Sequence, residues 1–295
     1  MTVCISHKKD GVKAKTKGAR MKIYICCHKR YQTPASDVLQ PIHVGKAASN
    51  TDLDMLCDNT GDNISIKNRH YCELTAAYWI WKNVKEDIVG LCHYCRYFNF
   101  KNDHTKINKI KPNFPQWSGS TEEIISPLFK EYDIVLPTKA GSKKHPKTIY
   151  DSYKQEHIIS DLDVCLDIIK EKYPAQYQTA SKVLHNETWG YYANMLVAKK
   201  EVFDNYAKWL FDILFELEKR IQKDVETRNT YQQRVYGFLS ERLMTVYIAL
   251  HPELKVKELP VIFVEENKKI WHKYIFRYWK TKTFAILGIK RRKNG

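Results

Sequence analysis

The chain has 295 residues, of which 43% are hydrophobic and 28% charged, with only 11 Gly and 10 Pro. This length can bury a real core, and the composition excludes collagen-like and low-complexity proteins. The apolar run FAILGI at 284–289 falls far short of the roughly 20 residues that span a bilayer, and the start MTVCISHKKD has no signal-peptide core. A non-exported, non-spanning protein is expected, and its eight scattered Cys read as reduced thiols rather than a disulfide scaffold.

The net charge of +16 sits at the ends. Residues 1–30 hold nine Lys or Arg against one acid, and residues 268–295 hold ten against none. The stretch between them has 30 bases and 32 acids. A near-neutral body with basic ends argues against a nucleic-acid groove binder, which carries positive charge on its folded surface. Residues 1–20, Lys-rich and without apolar periodicity, read as a disordered basic tail.

Taken in chain order, KIYICC (22–27) is an apolar, β-rich run suited to a buried strand. A polar, irregular stretch continues through Gln40 and Pro41, and 49–66 is rich in turn residues. NRHYCELTAAYWIWKN (68–83) has helical spacing, DIVGLCHY (87–94) reads as a second strand, and KEYDIVLPT (130–138) as a third, stopped by Pro137. A helix is predicted over 155–172, a strand over 191–199, helices over 201–223 and 231–250, and a late strand over LPVIFV (259–264). Strands separated by helices, without hairpin signatures, predict an α/β fold on a mostly parallel sheet. Ligands of such sheets lie at the carboxyl ends of the strands.

Four segments carry candidate chemistry. His28, Lys29 and Arg30 follow the first strand, where cations suit a phosphate, although loop charges would look the same. Asp58, Asp62, Asn63, Lys67 and Asn68 form the densest polar cluster, just before a helix. It reads equally as an anion or ribose site and as a capped turn. His93, Tyr94, Arg96 and Tyr97 end the second strand and suit a pyrophosphate and a ring. Cys92 and Cys95 make a C-x-x-C there, but no second ligand pair supports zinc. Glu241 is a candidate general base, or else a structural charge beside Arg242. Asp161 and Asp163 spell the D-x-D of metal-dependent sugar transferases, but two positions apart on a predicted helix they face different ways and read as a solvated face.

KIYICCHK (22–29), PIHVGKA (41–47), DNTGDNISIKNRHYCELTAAYWIWKN (58–83), DIVGLCHYCRYF (87–98), YDIVLP (132–137), YYANMLVAKKEVFDNYAKWLFDILFELEKR (191–220) and RVYGFLSERL (234–243) together resemble bacterial capsule and O-antigen glycosyltransferases once grouped as domain of unknown function 4422, some of them β-galactofuranosyltransferases. That family usually has an arginine where this chain has Cys95. The resemblance implies a GT-A-like fold over 21–266 and transfer of a sugar, UDP-galactofuranose being the leading donor, onto a lipid-linked saccharide. It places His28, Asp58, Asp62, Asn63, Lys67, Asn68, His93 and Arg96 at the donor, with imidazole and guanidinium neutralising the diphosphate in place of a metal. Mn or Mg stays open. Glu241 becomes the base of an inverting transfer, with Glu187 and Asp133 in reserve, and Trp189 and Asn194 contact sugar. The segment 267–295 mixes Trp, Tyr and Phe with Lys and Arg, as an interfacial helix on an anionic membrane does. The expected location is cytoplasmic, on the inner face of the plasma membrane. The competing readings are a nucleic-acid binder using its basic tails and an inactive scaffold of a polysaccharide assembly.

Overall fold

The computed structural model describes residues 19–102, 119–141 and 145–264. Nearly all of the predicted basic tail (1–20) and the aromatic, basic segment 267–295 lie outside the described residues. The first half holds β1 (Met21–Cys27), β2 (Leu39–His43), β3 (Leu56–Cys57), α1 (Asn68–Tyr71), α2 (Leu74–Asn83), β4 (Ile88–His93), β5 (Arg96–Phe98), α3 (Glu122–Ile125), α4 (Leu128–Glu131), β6 (Ile134–Pro137) and β7 (Ala140–Gly141). The second half holds α5 (Ile149–Glu156), α6 (Ile159–Lys172), α7 (Pro174–Asn186), β8 (Trp189–Gly190), β9 (Leu196–Lys199), α8 (Lys200–Val225), α9 (Val235–Leu250), β10 (Val256–Leu259) and β11 (Val261–Phe263).

The main sheet runs β10-β6-β9-β4-β1-β2-β3, with β5 and β11 attached to its flank. The pairs β1–β2, β1–β4, β2–β3 and β10–β6 are parallel, as expected. The sequence gives no sign that β9 inserts antiparallel between β4 and β6. Strand β1 shows why the sheet is central. Ile23, Ile25 and Cys27 enter one core and Tyr24 and Cys26 the other, because side chains alternate faces along a strand. The larger core is closed by α2, α6, α7, α8 and α9, the smaller by α3, α4 and the β5–β11 flank. The result is an α/β sandwich, a mixed but mostly parallel sheet flanked by helices. No helix among the described residues is long and apolar enough to cross a membrane.

Three predicted elements are interrupted. The helix over 68–83 breaks at Cys72, whose φ of 52° and ψ of −131° no helix accommodates. The helix over 155–172 is two helices meeting at His157 and Ile158. The strand over 191–199 is regular only from Leu196, because Ala193 and Asn194 take φ of 86° and 46°. All three breaks lie beside the site described next.

Gly90 in β4 is where the sheet is tightest: a Cβ there would lie 2.5 Å from the Leu196 carbonyl oxygen and 2.8 Å from the Val197 Cα of β9. Backbone cannot yield as a flexible side chain does, so Gly90→Ala is expected to cost about 1–3 kcal/mol, read as a lowered midpoint in urea denaturation.

Candidate functional site

A cleft of about 740 Å³ opens at the carboxyl ends of β1, β2 and β4. Its floor is Cys26, His28, Val44 and the turn His93–Arg96, and its opposite wall comes from α1, the Cys72–Glu73 break and the start of α9. Four arginines line it (Arg69, Arg96, Arg234 and Arg242), against Glu73, Glu156 and Glu241.

Five predicted residues meet here: His28, Asn68, His93, Arg96 and Glu241. Asn68 and the 93–96 turn therefore share one cleft, although they are far apart in sequence. The rest of the early polar cluster lies outside the lining and is committed to the fold. The Asp58 carboxylate is fully buried and accepts from the backbone N–H of Gly45 (2.8 Å) and Lys46 (3.2 Å) and from the Ser65 hydroxyl. Gly45 has φ of 72° and packs on Asn68, so Asp58 ties together the two loops that set Asn68 in place. Asp62 accepts from the Tyr78 hydroxyl at 3.1 Å, and the Asn63 side chain bonds within its own turn. Lys67 pairs with Glu218 on α8 at 2.6 Å.

Trp189 pairs with Gly141 in the small β7–β8 ladder and lines neither this cleft nor the cavity beside it. Asn194 lies behind the wall, donating to a Glu73 carboxylate oxygen at 2.6 Å and to the Gly237 carbonyl at 3.0 Å. Of the reserves, the Glu187 carbonyl accepts from Ile149 N–H, and Asp133 pairs with Lys199 at 2.7 Å. The D-x-D aspartates are not a solvated face: Asp161 is buried in a two-pronged pair with Arg228, and Asp163 accepts from Tyr150. Among the described residues no three His, Cys, Asp or Glu side chains converge to hold a metal ion.

The strained Ala193 peptide sets the reactive groups. Its N–H donates to Glu241 Oε1 at 2.9 Å, and its carbonyl accepts from His93 Nε2 at 2.5 Å. The other Glu241 oxygen accepts from Arg242 at 2.8 Å. Holding a non-glycine residue at φ of 86° costs energy, and such outliers gather at functional sites. Burial pushes the Glu241 carboxyl above its usual range, with Glu73 adding to the rise while Arg242, the Ala193 N–H and Arg96 oppose it. Burial pushes His93 down, with Arg96 and Arg234 adding to the fall while Glu73 and the Ala193 carbonyl oppose it. Burial and Lys29 push His28 down. Both imidazoles are therefore held below their ordinary range, and His93 is engaged with the Ala193 carbonyl.

Two aromatic sets flank the cleft. Tyr94 stacks on Tyr31 at 3.6 Å on one side. On the other, His157 stacks on Phe238 at 4.1 Å and Tyr231 lies 5.0 Å from Phe238. Burial, with Arg242 nearby, holds His157 down at about 4 against an ordinary 6.5. The folded state thus binds fewer protons than the unfolded state between those values, and stability falls as pH drops from 6.5 towards 4. His157→Phe, which keeps the stack, is expected to flatten that part of a plot of Tm against pH.

Sequence reasoning missed Glu73, Arg69, Arg234, Glu156 and His157. Arg69 and Glu73 sit in the quoted 58–83 stretch, but an unbroken helix gave no reason to separate them from its surface. Arg234 reaches the cleft because its Nε donates to Cys72 Sγ at 3.1 Å, a contact between segments 162 residues apart.

The sequence matches the family described as "Domain of unknown function (DUF4422)" over residues 22–252. No curated protein matches significantly. Among solved structures, the chain is similar to the WbbM bifunctional glycosyltransferase in its apo form, with 38% identity and a TM-score of 0.77, covering 84% of this chain and 46% of that one. This chain thus spans less than half of that protein's length.

Proposed function

The chain belongs to the domain of unknown function (DUF4422) family, and from that premise we propose that it is a glycosyltransferase of bacterial surface-polysaccharide synthesis, using a nucleoside diphosphate sugar. The observation that carries this reading is the cleft itself: four arginines together with His28, His93 and the half-buried Glu241 carboxylate at the carboxyl ends of parallel strands.

In this reading Arg69, Arg96 and Arg234 surround the diphosphate, and guanidinium groups match its oxygens in pairs. His93 and His28 act as polar neighbours. Fixed cations aimed at the leaving group stabilise the charge that grows there, the task that a metal serves in other sites. Tyr94, stacked on Tyr31, offers a platform for the base. Glu241 takes the proton of the acceptor hydroxyl as the sugar–phosphate bond opens, giving inversion at the anomeric carbon. Asp58 serves by shaping the loops, and Asn194 by aligning Glu73.

UDP-galactofuranose is the donor that the family resemblance favours, and a lipid-linked saccharide at the cytoplasmic leaflet the acceptor. The segment 267–295 would then hold the enzyme to anionic lipid. Ending the chain at Glu266 is expected to abolish flotation with anionic vesicles, and unchanged flotation would refute the anchor. The activity is tested by incubating the protein with a panel of UDP-sugars, with and without Mn²⁺, and measuring UDP release. Release from one donor above the others is expected, and release from none in either condition would overturn the reading.

A further inference from the structure

Two of the cleft's arginines are held in the same way, each by the segment that carries the other. Arg69 lies on α1, and its Nε donates to Gln233 Oε1 at 2.6 Å. Arg234 lies in the turn Gln232–Arg234 that leads into α9, and its Nε donates at 3.1 Å to the Sγ of Cys72, just past the end of α1. The two bonds join residues 164 and 162 positions apart. Both acceptors are themselves fixed. Gln233 is buried, and its Nε2 donates to the carbonyls of Glu226 (3.2 Å) and Arg228 (2.9 Å), so its oxygen is the atom that faces Arg69. The Gln233 carbonyl accepts from His70 Nδ1 at 3.1 Å. Cys72 is anchored through its backbone: its N–H donates to the Asn68 carbonyl at 2.8 Å, and its carbonyl accepts from the Asn68 amide at 2.7 Å. The break in the predicted helix is therefore the point at which a sulfur meets Arg234.

The chemistry of the acceptors sets these two arginines apart. Arg220 and Arg228 are held by carboxylates, those of Glu171 and Asp161, which neutralise them. Arg69 and Arg234 are held by an amide oxygen and a sulfur, and among the described residues neither forms an ion pair. Burial pushes the Cys72 thiol up to about 12, so its sulfur accepts as a neutral group. A neutral acceptor fixes the direction of a guanidinium and leaves its charge available. With Nε occupied, each arginine presents the fork of its two Nη groups end-on, and such a fork matches two oxygens of one phosphate.

We propose that Gln233 and Cys72 are positioning residues, which hold Arg69 and Arg234 as a preset pair of forks for an anion with two linked phosphates. The proposal rests on the nucleoside diphosphate reading of the cleft. An arginine gives up rotamer freedom when it grips a phosphate, and a guanidinium already fixed at Nε has less to give up on binding. Because each segment supplies one arginine and the acceptor for the other, the spacing of the two forks is set by the fold before the ligand arrives. Gln233 and Cys72 act through their arginines, so the contribution of each vanishes when its arginine is absent.

The test is calorimetric titration of UDP into the full chain and into two double-mutant cycles. Cys72→Ala removes the sulfur and is paired with Arg234→Ala. Gln233→Met removes the amide and is paired with Arg69→Ala. Cys72→Ala and Gln233→Met are each expected to weaken UDP binding about three- to tenfold, the effect of having to order one long side chain at the moment of binding. In the background that lacks its arginine, each is expected to weaken UDP binding by less than about twofold more. Cys72→Ser, which keeps an acceptor for Arg234 Nε, is expected to recover most of the loss. Gln233→Met leaves two carbonyls without their donor, so thermal unfolding is recorded for every variant, and the Cys72 cycle decides the matter where Gln233→Met does not fold. Equal losses with and without the arginine, or no loss when the arginine is present, would overturn the positioning role. Failure of the unaltered protein to bind UDP would instead overturn the nucleoside diphosphate reading on which it rests.

Discussion

Glu241→Gln is expected to lower sugar transfer by roughly 10²–10⁴-fold, the usual contribution of a positioned general base, with little change in UDP affinity. Gln keeps the shape and can still accept from the Ala193 N–H, so the Ala193 loop and the His93 contact should survive. The proton acceptor is lost together with the ion pair to Arg242. The pH profile gives an independent check. Burial is the main cause of the raised Glu241 carboxyl, and Glu73 contributes to it. A base must be deprotonated, so activity falls as pH drops, and it begins to fall above the ordinary carboxylate range. Glu73→Gln removes one of the charges that raise Glu241 and is expected to move that acid limb to lower pH. Near-normal turnover in Glu241→Gln would remove Glu241 from the chemistry.

Asp161→Ala is expected to destabilise the protein by about 1–3 kcal/mol, because it leaves the buried Arg228 guanidinium with only the exposed Asp224 as a carboxylate partner. In the pair with Arg228 both prongs measure 2.7 Å, and the two side chains are 3% and 6% exposed. For a domain of this size the loss corresponds to a fall in Tm of roughly 2–12 °C. Burial pushes the Asp161 carboxyl up despite Arg228, so desolvation outweighs the attraction. Replacing both partners, as Asp161→Leu with Arg228→Met, is therefore expected to recover much of what the single change loses. UDP affinity should not change in either variant at a temperature where both are folded. A selective loss of Mn²⁺-dependent UDP binding would mean that the D-x-D does hold a metal.

The strands that frame the cleft were legible because they are buried on both faces and read as continuous apolar runs: 87–94 and 130–138 contain their strands, and 22–27 misses only Met21 of β1. β2 was hidden by Gln40 and Pro41. Proline is tolerated because β3 pairs only with Ile42 and His43, leaving Pro41 unpaired on that side. α7 was hidden because it has few apolar positions and begins on Pro174, where a missing N–H costs nothing. Within the site, residues at strand ends (His28, His93, Arg96) could be placed from the strands alone. Glu73 and Arg234 could not, because the first depends on a backbone break at Cys72 and the second on a contact across the fold. The early polar cluster misled for a related reason. Asp, Asn and Lys beside a helix serve equally to bind a ligand or to bind the chain to itself, and Asp58 and Lys67 found partners in Gly45 and Glu218.

Calorimetric titration of UDP into the protein and into Arg96→Ala and Arg234→Ala bears most directly on the cleft as a nucleoside diphosphate site. Both arginines line it, and each charge-assisted contact to phosphate contributes about 1.5–3 kcal/mol. The account predicts one UDP per chain, bound at least tenfold more weakly by each variant. UDP that binds both variants as tightly as the unaltered protein would contradict it.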